Sequence, residues 1–441
     1  MSDDQTIFAL ASAAGKAGVA VFRISGRDAK AAITRLCEPK TLPEPRVAAL
    51  REIRNPQTDE PVDRALILYF PAPHSFTGED VVEFHTHGGR AVSHAVIDCL
   101  CALPHFRMAE AGEFTRRAFE NGKMDLTEAE AIADLVHAET EAQRKQALRQ
   151  MDGALGALYE EWRKNLSRGL AYMEAAIDFA DEELPDYIVQ KQSDALGVLH
   201  DAIAAHLDDN RRGERVREGF SIAILGPPNA GKSSLLNALA ERDAAIVSPT
   251  AGTTRDIIEV HLDIDGYAVT LADTAGLRDS SDAIENEGIR RARARAAQAD
   301  MKLLVFDGAT WPHLDGTTQA LQDKDTLAVV NKADLIVHKK TQDLLFISAQ
   351  SGAGIPTLLI KLAQEIASRF AANGTTPLTR ARHRAALEEC VGHLDRALQA
   401  PMADLRAEDV RMAMRALGRI TGRVDVEDLL DIIFRDFCIG K

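Results

Sequence analysis

Gly226-Pro227-Pro228-Asn229-Ala230-Gly231-Lys232-Ser233 follows the apolar run Phe220 to Leu225 and leads into Ser234-Leu235-Leu236-Asn237-Ala238-Leu239. The order is strand, loop, helix, the setting in which a G-x-x-x-x-G-K-S string acts as a phosphate loop. Its glycines let backbone N–H groups turn toward a β-phosphate, and the helix N-terminus adds positive potential. Lys232 is placed to bridge β- and γ-oxygens, and Ser233 to ligate Mg²⁺. The competing reading, a glycine turn with a surface lysine, is disfavoured by the strand and helix on either side.

Base identity rests on a second string, Asn331-Lys332-Ala333-Asp334, after the apolar strand Thr326 to Val330. A carboxylate at Asp334 accepts from both N1–H and the exocyclic amine of guanine, a pattern that adenine reverses. Such a site leaves its own carboxylate unpaired with the wrong base, so discrimination is large. Ser348-Ala349-Gln350, after a strand from Leu344 to Ile347, is the expected loop behind the base. Between these strings lies Asp273-Thr274-Ala275-Gly276, at the end of a strand from Tyr267 to Ala272. Asp273 is expected to hold Mg²⁺ through water, and Gly276 to offer its N–H to the γ-phosphate. Upstream, Ala251-Gly252-Thr253-Thr254-Arg255-Asp256 is the expected first switch, with Thr254 as second hydroxyl ligand of Mg²⁺, and Ser248, Pro249 and Thr250 just before it are counted with it among the GTP-binding residues. Motifs in this order imply that the chain binds GTP as substrate.

Leu277 stands where many GTPases carry a glutamine, and leucine cannot orient an attacking water. The acidic candidates for that task are Asp279, Asp282, Glu285 and Glu287. Asn229 offers a different aid, since an asparagine in the phosphate loop can coordinate a monovalent cation close to developing negative charge.

A chain of 441 residues exceeds one core and implies about three domains. No apolar run reaches the length of a membrane span, and Met1-Ser2-Asp3-Asp4-Gln5 lacks the charged-then-apolar pattern of a signal segment. A cytoplasmic protein with no membrane association is expected. Cys37, Cys99, Cys101, Cys390 and Cys438 form no CxxC pair and no even framework, which fits a reducing compartment without a zinc site. With 52 basic against 67 acidic residues, the net charge of −15 argues against non-specific nucleic-acid binding by the whole surface.

Residues 1 to about 120 alternate strand and helix signals without a phosphate loop. Strands are expected at Gly18 to Gly26, Ala65 to Phe70 and Asp80 to His85, and a helix at Arg90 to Leu103. Thr127 with Glu130 resembles a capping box opening a long helical stretch. Leu148, Met151, Leu155, Leu158, Trp162, Leu166, Leu170, Met173 and Ile177 step by three or four and form one core-facing stripe. Leu184-Pro185 breaks it, and a helix resumes from Ser193 to Leu207. A linker is expected at Asn373-Gly374-Thr375-Thr376-Pro377. Beyond it Leu387, Cys390, Leu394 and Leu398 form one stripe, and Val410, Met414 and Leu417 another. Helical segments flanking an α/β domain are expected to pack as one bundle.

The phosphate loop with Pro228-Asn229, the string Ala251-Gly252-Thr253-Thr254-Arg255-Asp256, the switch Asp273-Thr274-Ala275-Gly276-Leu277 and the tail Phe437-Cys438-Ile439-Gly440-Lys441 occur together. So do Gly112-Glu113-Phe114-Thr115-Arg116-Arg117-Ala118-Phe119 and Asn121-Gly122-Lys123-Met124-Asp125-Leu126. In these features, over essentially its full length, the chain resembles the bacterial tRNA-modification GTPase family known as MnmE or TrmE. Ala111 departs from the proline frequent there. The resemblance implies a multidomain α/β and α+β fold: an N-terminal α+β tetrahydrofolate-binding and dimerisation domain at 1–122, a discontinuous helical bundle at 123–218 and 373–441, and an inserted Ras-like P-loop GTPase domain at 219–372. It implies a potassium-stimulated GTPase that works as a homodimer with the flavoprotein MnmG, in a heterotetramer or larger complex. The product would be a carboxymethylaminomethyl or aminomethyl group on C5 of the tRNA wobble uridine, with 5-formyl- or methylene-tetrahydrofolate as one-carbon source. Arg23, Glu83, Lys123 and Lys441 match its folate positions. Asn229, Ser248, Thr250 and Thr253 match its K⁺ positions, and Glu285 matches the acid that orients the hydrolytic water.

Several residues carry competing readings. Cys438 is either a nucleophile or an ordinary buried cysteine, and Lys441 makes a poor last residue for a prenylation box. His85 and His87 share a strand face, but without a third ligand a turn and core pair is the simpler expectation over a metal site. Arg290, Arg291, Arg293 and Arg295, and separately Arg406, Arg411, Arg415, Arg419 and Arg423, are solvated helix faces or candidate tRNA patches. A ribosome-assembly GTPase of the Era or Der type, or a purely regulatory switch, are the alternatives at the level of the whole chain.

Overall fold

The computed structural model describes residues 5–178, 186–240, 259–273, 299–336, 344–370, 377–424, 427–435 and 437–440. The chain separates into two compact units, residues 1–133 with 150–196 and 393–441, and residues 134–149 with 197–392. Among the described residues no helix is long and apolar enough to cross a membrane.

The first unit contains β1 (Thr6–Leu10), β2 (Ala17–Ser25), α1 (Ala29–Leu36), β3 (Cys37–Glu38), β4 (Ala49–Arg54), β5 (Pro61–Phe70), β6 (Val81–Gly88), α2 (Arg90–Cys101), β7 (Phe106–Met108) and α3 (Glu113–Glu120). The strands make one sheet in the order β3-β4-β5-β6-β2-β1-β7, in which β1 and β7 run parallel and the other pairs antiparallel. Period-two alternation sets the two faces of this sheet. Phe22, Ile24, Val82 and Phe84 are fully buried in one core with Ala29 and Ile33 of α1 and Val96 and Leu100 of α2. On the opposite face Ile7 and Ala9 pack with Phe114 of α3, and Arg23, Glu83 and His85 emerge beside them. The strand expected from Ala65 starts earlier, at Pro61, because its polar beginning still pairs with β4.

Next come α4 (Leu126–His137), α5 (Glu141–Met151) and α6 (Ala154–Asp178). The capping box is real but lies two residues upstream of the expected one. Asp125 Oδ1 accepts from the N–H groups of Thr127 at 2.8 Å and Glu128 at 3.0 Å, while Glu128 Oε2 accepts from the Asp125 N–H at 2.7 Å. Thr127 and Glu130 are instead buried inside the helix. The single long stripe is also two: Gly153, at φ +79°, separates α5 from α6. Within α6, Leu155, Trp162, Leu166, Leu170 and Met173 are buried, whereas Leu158 and Ile177 are half-buried. The stretch at Leu184-Pro185 and the linker at 373–376 lie outside the described residues.

The second unit is built on β8 (Phe220–Leu225), β9 (Glu259–Ile264), β10 (Tyr267–Asp273), β11 (Met301–Asp307), β12 (Thr326–Asn331) and β13 (Leu345–Phe346). The strand order β13-β12-β11-β8-β10-β9 is parallel throughout except for the β9 edge. The strands read as nearly continuous apolar runs because helices and loops cover both faces. Ile222 and Ile224 lie in one core with Leu235 and Leu239 of α7 (Lys232–Ala240), and with Leu358 and Leu362 of the helix Ile355–Phe370. Ala223 and Leu225 face the other core, with Phe306 and Val330. The described chain ends with α-helices Ala381–Gln399, Ala403–Thr421 and Glu427–Arg435. In the first unit Ala403–Thr421 packs along α6, and Leu430, Phe434 and Phe437 close a small core with Leu126 and Ala129.

Candidate functional site

Strand β8 has β10 on one side and β11 on the other, so the direction in which the chain winds the sheet reverses there. A crevice opens at such a point beyond the C-terminal strand ends. The register brings those ends level: Asp273 sits beside Ile224, Leu304 beside Leu225, and Asp307 beside Asn331. The phosphate loop leaves β8 into this crevice.

Within the loop, Asn229 and Gly231 hold left-handed conformations at φ +65° and +85°. A methyl group on Gly231 would lie 2.3 Å from Asn331 Nδ2, so only glycine fits. Lys232 is buried in the first turn of α7, and its ammonium donates to the carbonyls of Gly226 and Pro227, each at 2.9 Å. The cation therefore stands inside the curl of the loop. Ser233 and Ser234 are exposed on the same turn, and Ala230 is buried behind it.

Asn331 is 99% buried and joins three segments. Its amide donates to the Ala230 carbonyl at 2.9 Å, and its Oδ1 accepts the N–H of Ala349 at 3.0 Å. Lys332, at φ +59°, turns the chain and donates to Asp307 Oδ2 at 2.7 Å. The N–H of Ala333 bonds the Ile347 carbonyl at 2.9 Å. Asp334 is exposed, and the Ser348 hydroxyl donating to it holds its carboxyl below the usual carboxylate range. An ionised, oriented carboxylate facing solvent at the strand ends is an acceptor of the kind that the N1–H and exocyclic amine of guanine would need. Gln350 is exposed one turn beyond.

Other expected residues are not described. Ser248, Pro249, Thr250, Ala251, Gly252, Thr253, Thr254, Thr274, Ala275, Gly276 and Glu285, together with the arginines at 290–295 and Lys441, lie outside the described residues. Of Asp273, the backbone ends β10 at the crevice. The roles of Asn331 as a tie between loops and of Asp307 as the partner of Lys332 were missed in the sequence. Asp307 is far away in the chain, and only strand register brings it level.

A second charged group lies on the outward face of the first sheet. Arg23 and Glu83 are register partners, with Arg23 Nε 3.0 Å from Glu83 Oε1. The guanidinium also lies 5.3 Å from the centre of the Phe76 ring and 5.9 Å from that of Phe114. Lys123 donates to the Pro73 carbonyl at 3.0 Å and lies against Gly78, so the 71–80 loop contacts both Arg23 and Lys123. The tail reaches this unit too. Ile439 makes an antiparallel bridge with Ala111, and a methyl on Gly440 would lie 2.5 Å from the Leu10 carbonyl oxygen. Cys438, the residue before Ile439, is exposed rather than buried. His87 also departs from the expected core pair: it is exposed, with Nδ1 2.7 Å from Asp63 Oδ1. Among the described residues no group of three or more His, Cys, Asp or Glu could hold a metal ion.

Residues 126–438 match the family profile of the MnmE helical domain, and residues 6–123 that of the GTP-binding protein TrmE N-terminus. A tRNA modification GTPase MnmE from Parvibaculum lavamentivorans is 56% identical over 443 residues, covering 99% of this chain and 100% of that protein. The chain belongs to the MnmE family. Another MnmE, from Paramagnetospirillum magneticum, is 54% identical over 99% of this chain and its own full length. A mitochondrial 5-taurinomethyluridine tRNA synthase subunit from Danio rerio is 48% identical, over 99% of this chain and 93% of its own. Membership agrees with the multidomain architecture: an N-terminal α+β unit, helical segments, and a P-loop nucleotide fold between them.

Proposed function

We propose that this MnmE-family chain hydrolyses GTP to drive a rearrangement within a complex that modifies the wobble uridine of certain tRNAs. The observation that carries the nucleotide part is the meeting of Lys232, curled into the phosphate loop, with the Ser348-held carboxylate of Asp334 at one row of strand ends. Ser233 and Thr254 would hold Mg²⁺, with Asp273 acting through water. Asn229, with Ser248, Thr250 and Thr253, would hold K⁺. Bound there, the cations offset negative charge that develops on the transferred phosphoryl group and leaving oxygen. Glu285 would orient the attacking water, since Leu277 offers no hydrogen bond.

The division of labour follows the boundaries set out above: 1–122 for tetrahydrofolate and self-association, 219–372 for GTP, and 123–218 with 373–441 for the helical bundle and its Cys438-bearing tail. Arg23, Glu83, Lys123 and Lys441 suit a folate, because a carboxylate pairs with an amino-heterocycle edge and cations meet a glutamate tail. Cys438, exposed in the tail, is the candidate nucleophile. The working assembly would be a homodimer joined by the flavoprotein MnmG and tRNA, in the cytoplasm. Mass analysis of wobble nucleosides from cells lacking the chain tests the reading: one modified uridine should vanish and return with the wild-type copy. Its persistence would overturn the assignment. At the level of hydrolysis, Glu285→Ala should keep GTP affinity and slow turnover strongly, and replacing K⁺ by Na⁺ should slow it as well.

A further inference from the structure

Glu83 is held from two directions. Both Nε and Nη2 of Arg23 reach Oε1 at 3.0 Å, while Nε2 of His85, two residues along the same strand face, stands 3.2 Å from Oε2. The three side chains are partly buried, at 16% exposure for Glu83, 21% for Arg23 and 28% for His85. A carboxylate anchored at one oxygen still rotates about its terminal torsion, which is broad for glutamate. A second anchor at the other oxygen fixes the plane. The neighbouring imidazole on this face, His87, cannot take over, because Asp63 accepts both its ring and its backbone N–H.

We propose that His85 is a positioning residue for Glu83: by donating from Nε2 to Oε2 it sets the plane in which the carboxylate meets the amino edge of a tetrahydrofolate. The inference rests on the folate reading of this face given above. It needs a hydrogen-bond donor at position 85 rather than a titrating group, so an amide serves there and an alkyl side chain does not. Ordering a side chain before a ligand arrives reduces the entropy lost on binding, an effect of up to about tenfold in affinity for one such side chain.

The test is calorimetric titration of the full-length protein with 5-formyltetrahydrofolate, using wild type, His85→Leu, His85→Gln and Glu83→Ala, with thermal unfolding of each in parallel. Wild type should bind, Glu83→Ala should lose binding, and His85→Leu should bind about tenfold more weakly. His85→Gln should recover most of that loss. A wild type that does not bind overturns the folate reading itself. A wild type that binds while His85→Leu binds equally well overturns the role of His85 and leaves the folate reading standing. Equal weakening in the Leu and Gln variants also overturns it, since a donor at position 85 would then be irrelevant. An unchanged unfolding temperature in His85→Leu separates positioning from loss of structure.

Discussion

In the six-stranded sheet the candidate functional side chains stand at strand ends, whereas in the seven-stranded sheet they stand across one face, and the covering of the two sheets accounts for the difference. Both faces of the six-stranded sheet are closed by apolar cores. Among the described residues, the candidate polar side chains there stand at the segments that leave β8, β11 and β12. In the seven-stranded sheet α1 and α2 close one face fully. The other is only partly taken by α3, and Arg23, Glu83 and His85 occupy what remains. A covered parallel sheet thus offers an edge, and a half-covered antiparallel one offers a surface.

The strongest challenge to this comparison is to mutate the two faces of β6. Phe84→Ala, on the closed face, should cost about 3–5 kcal/mol in denaturant unfolding. Glu83→Gln, on the open face, should cost a small fraction of that. Equal losses would mean that the open face is also core. At the edge of the other sheet, Lys232→Ala should lower GTP hydrolysis by about 100- to 1,000-fold in a steady-state assay, with unfolding nearly unchanged.

Asp334→Asn should weaken GTP by roughly 1–3 kcal/mol in a competition assay. It should also shift preference toward xanthosine triphosphate, whose carbonyl accepts from the new amide. The Ser348 hydroxyl adds a pH test. Because it lowers the carboxyl pKa, Asp334 stays ionised through mildly acidic solution, and GTP affinity is lost only as pH falls through that depressed value. Ser348→Ala should move the loss to higher pH. The smallest effect sharpens local structure: Asp125→Ala should cost about 1 kcal/mol by removing the cap of α4, and Thr127→Ala should not reproduce the loss of those two capping bonds.

The edge site was largely legible because its parts are contiguous strings. A phosphate loop needs its glycines, lysine and serine at fixed spacing, and Asn331 to Asp334 is likewise local. The pairing of Arg23 with Glu83 could not be read from spacing, since the two meet through register, and no spacing in one strand announces its partner. The same limit hid the pairing of Lys332 with Asp307. The cap of α4 was placed two residues late because Thr127 and Glu130 satisfy the same pattern as Asp125 and Glu128. What decided between them was burial: Thr127 and Glu130 are needed inside. The break at Gly153 was missed because apolar spacing continues across it, while a left-handed backbone ends the helix there.

Asn331, buried and bonded at once to the phosphate loop and to the Ala349 backbone, has a mechanical consequence. The phosphate loop and the segment at Ala349, which would meet the phosphates and the base of a bound nucleotide, form one calliper of set span. A nucleotide lengthened or shortened between its sugar and its terminal phosphate could satisfy one jaw only by leaving the other.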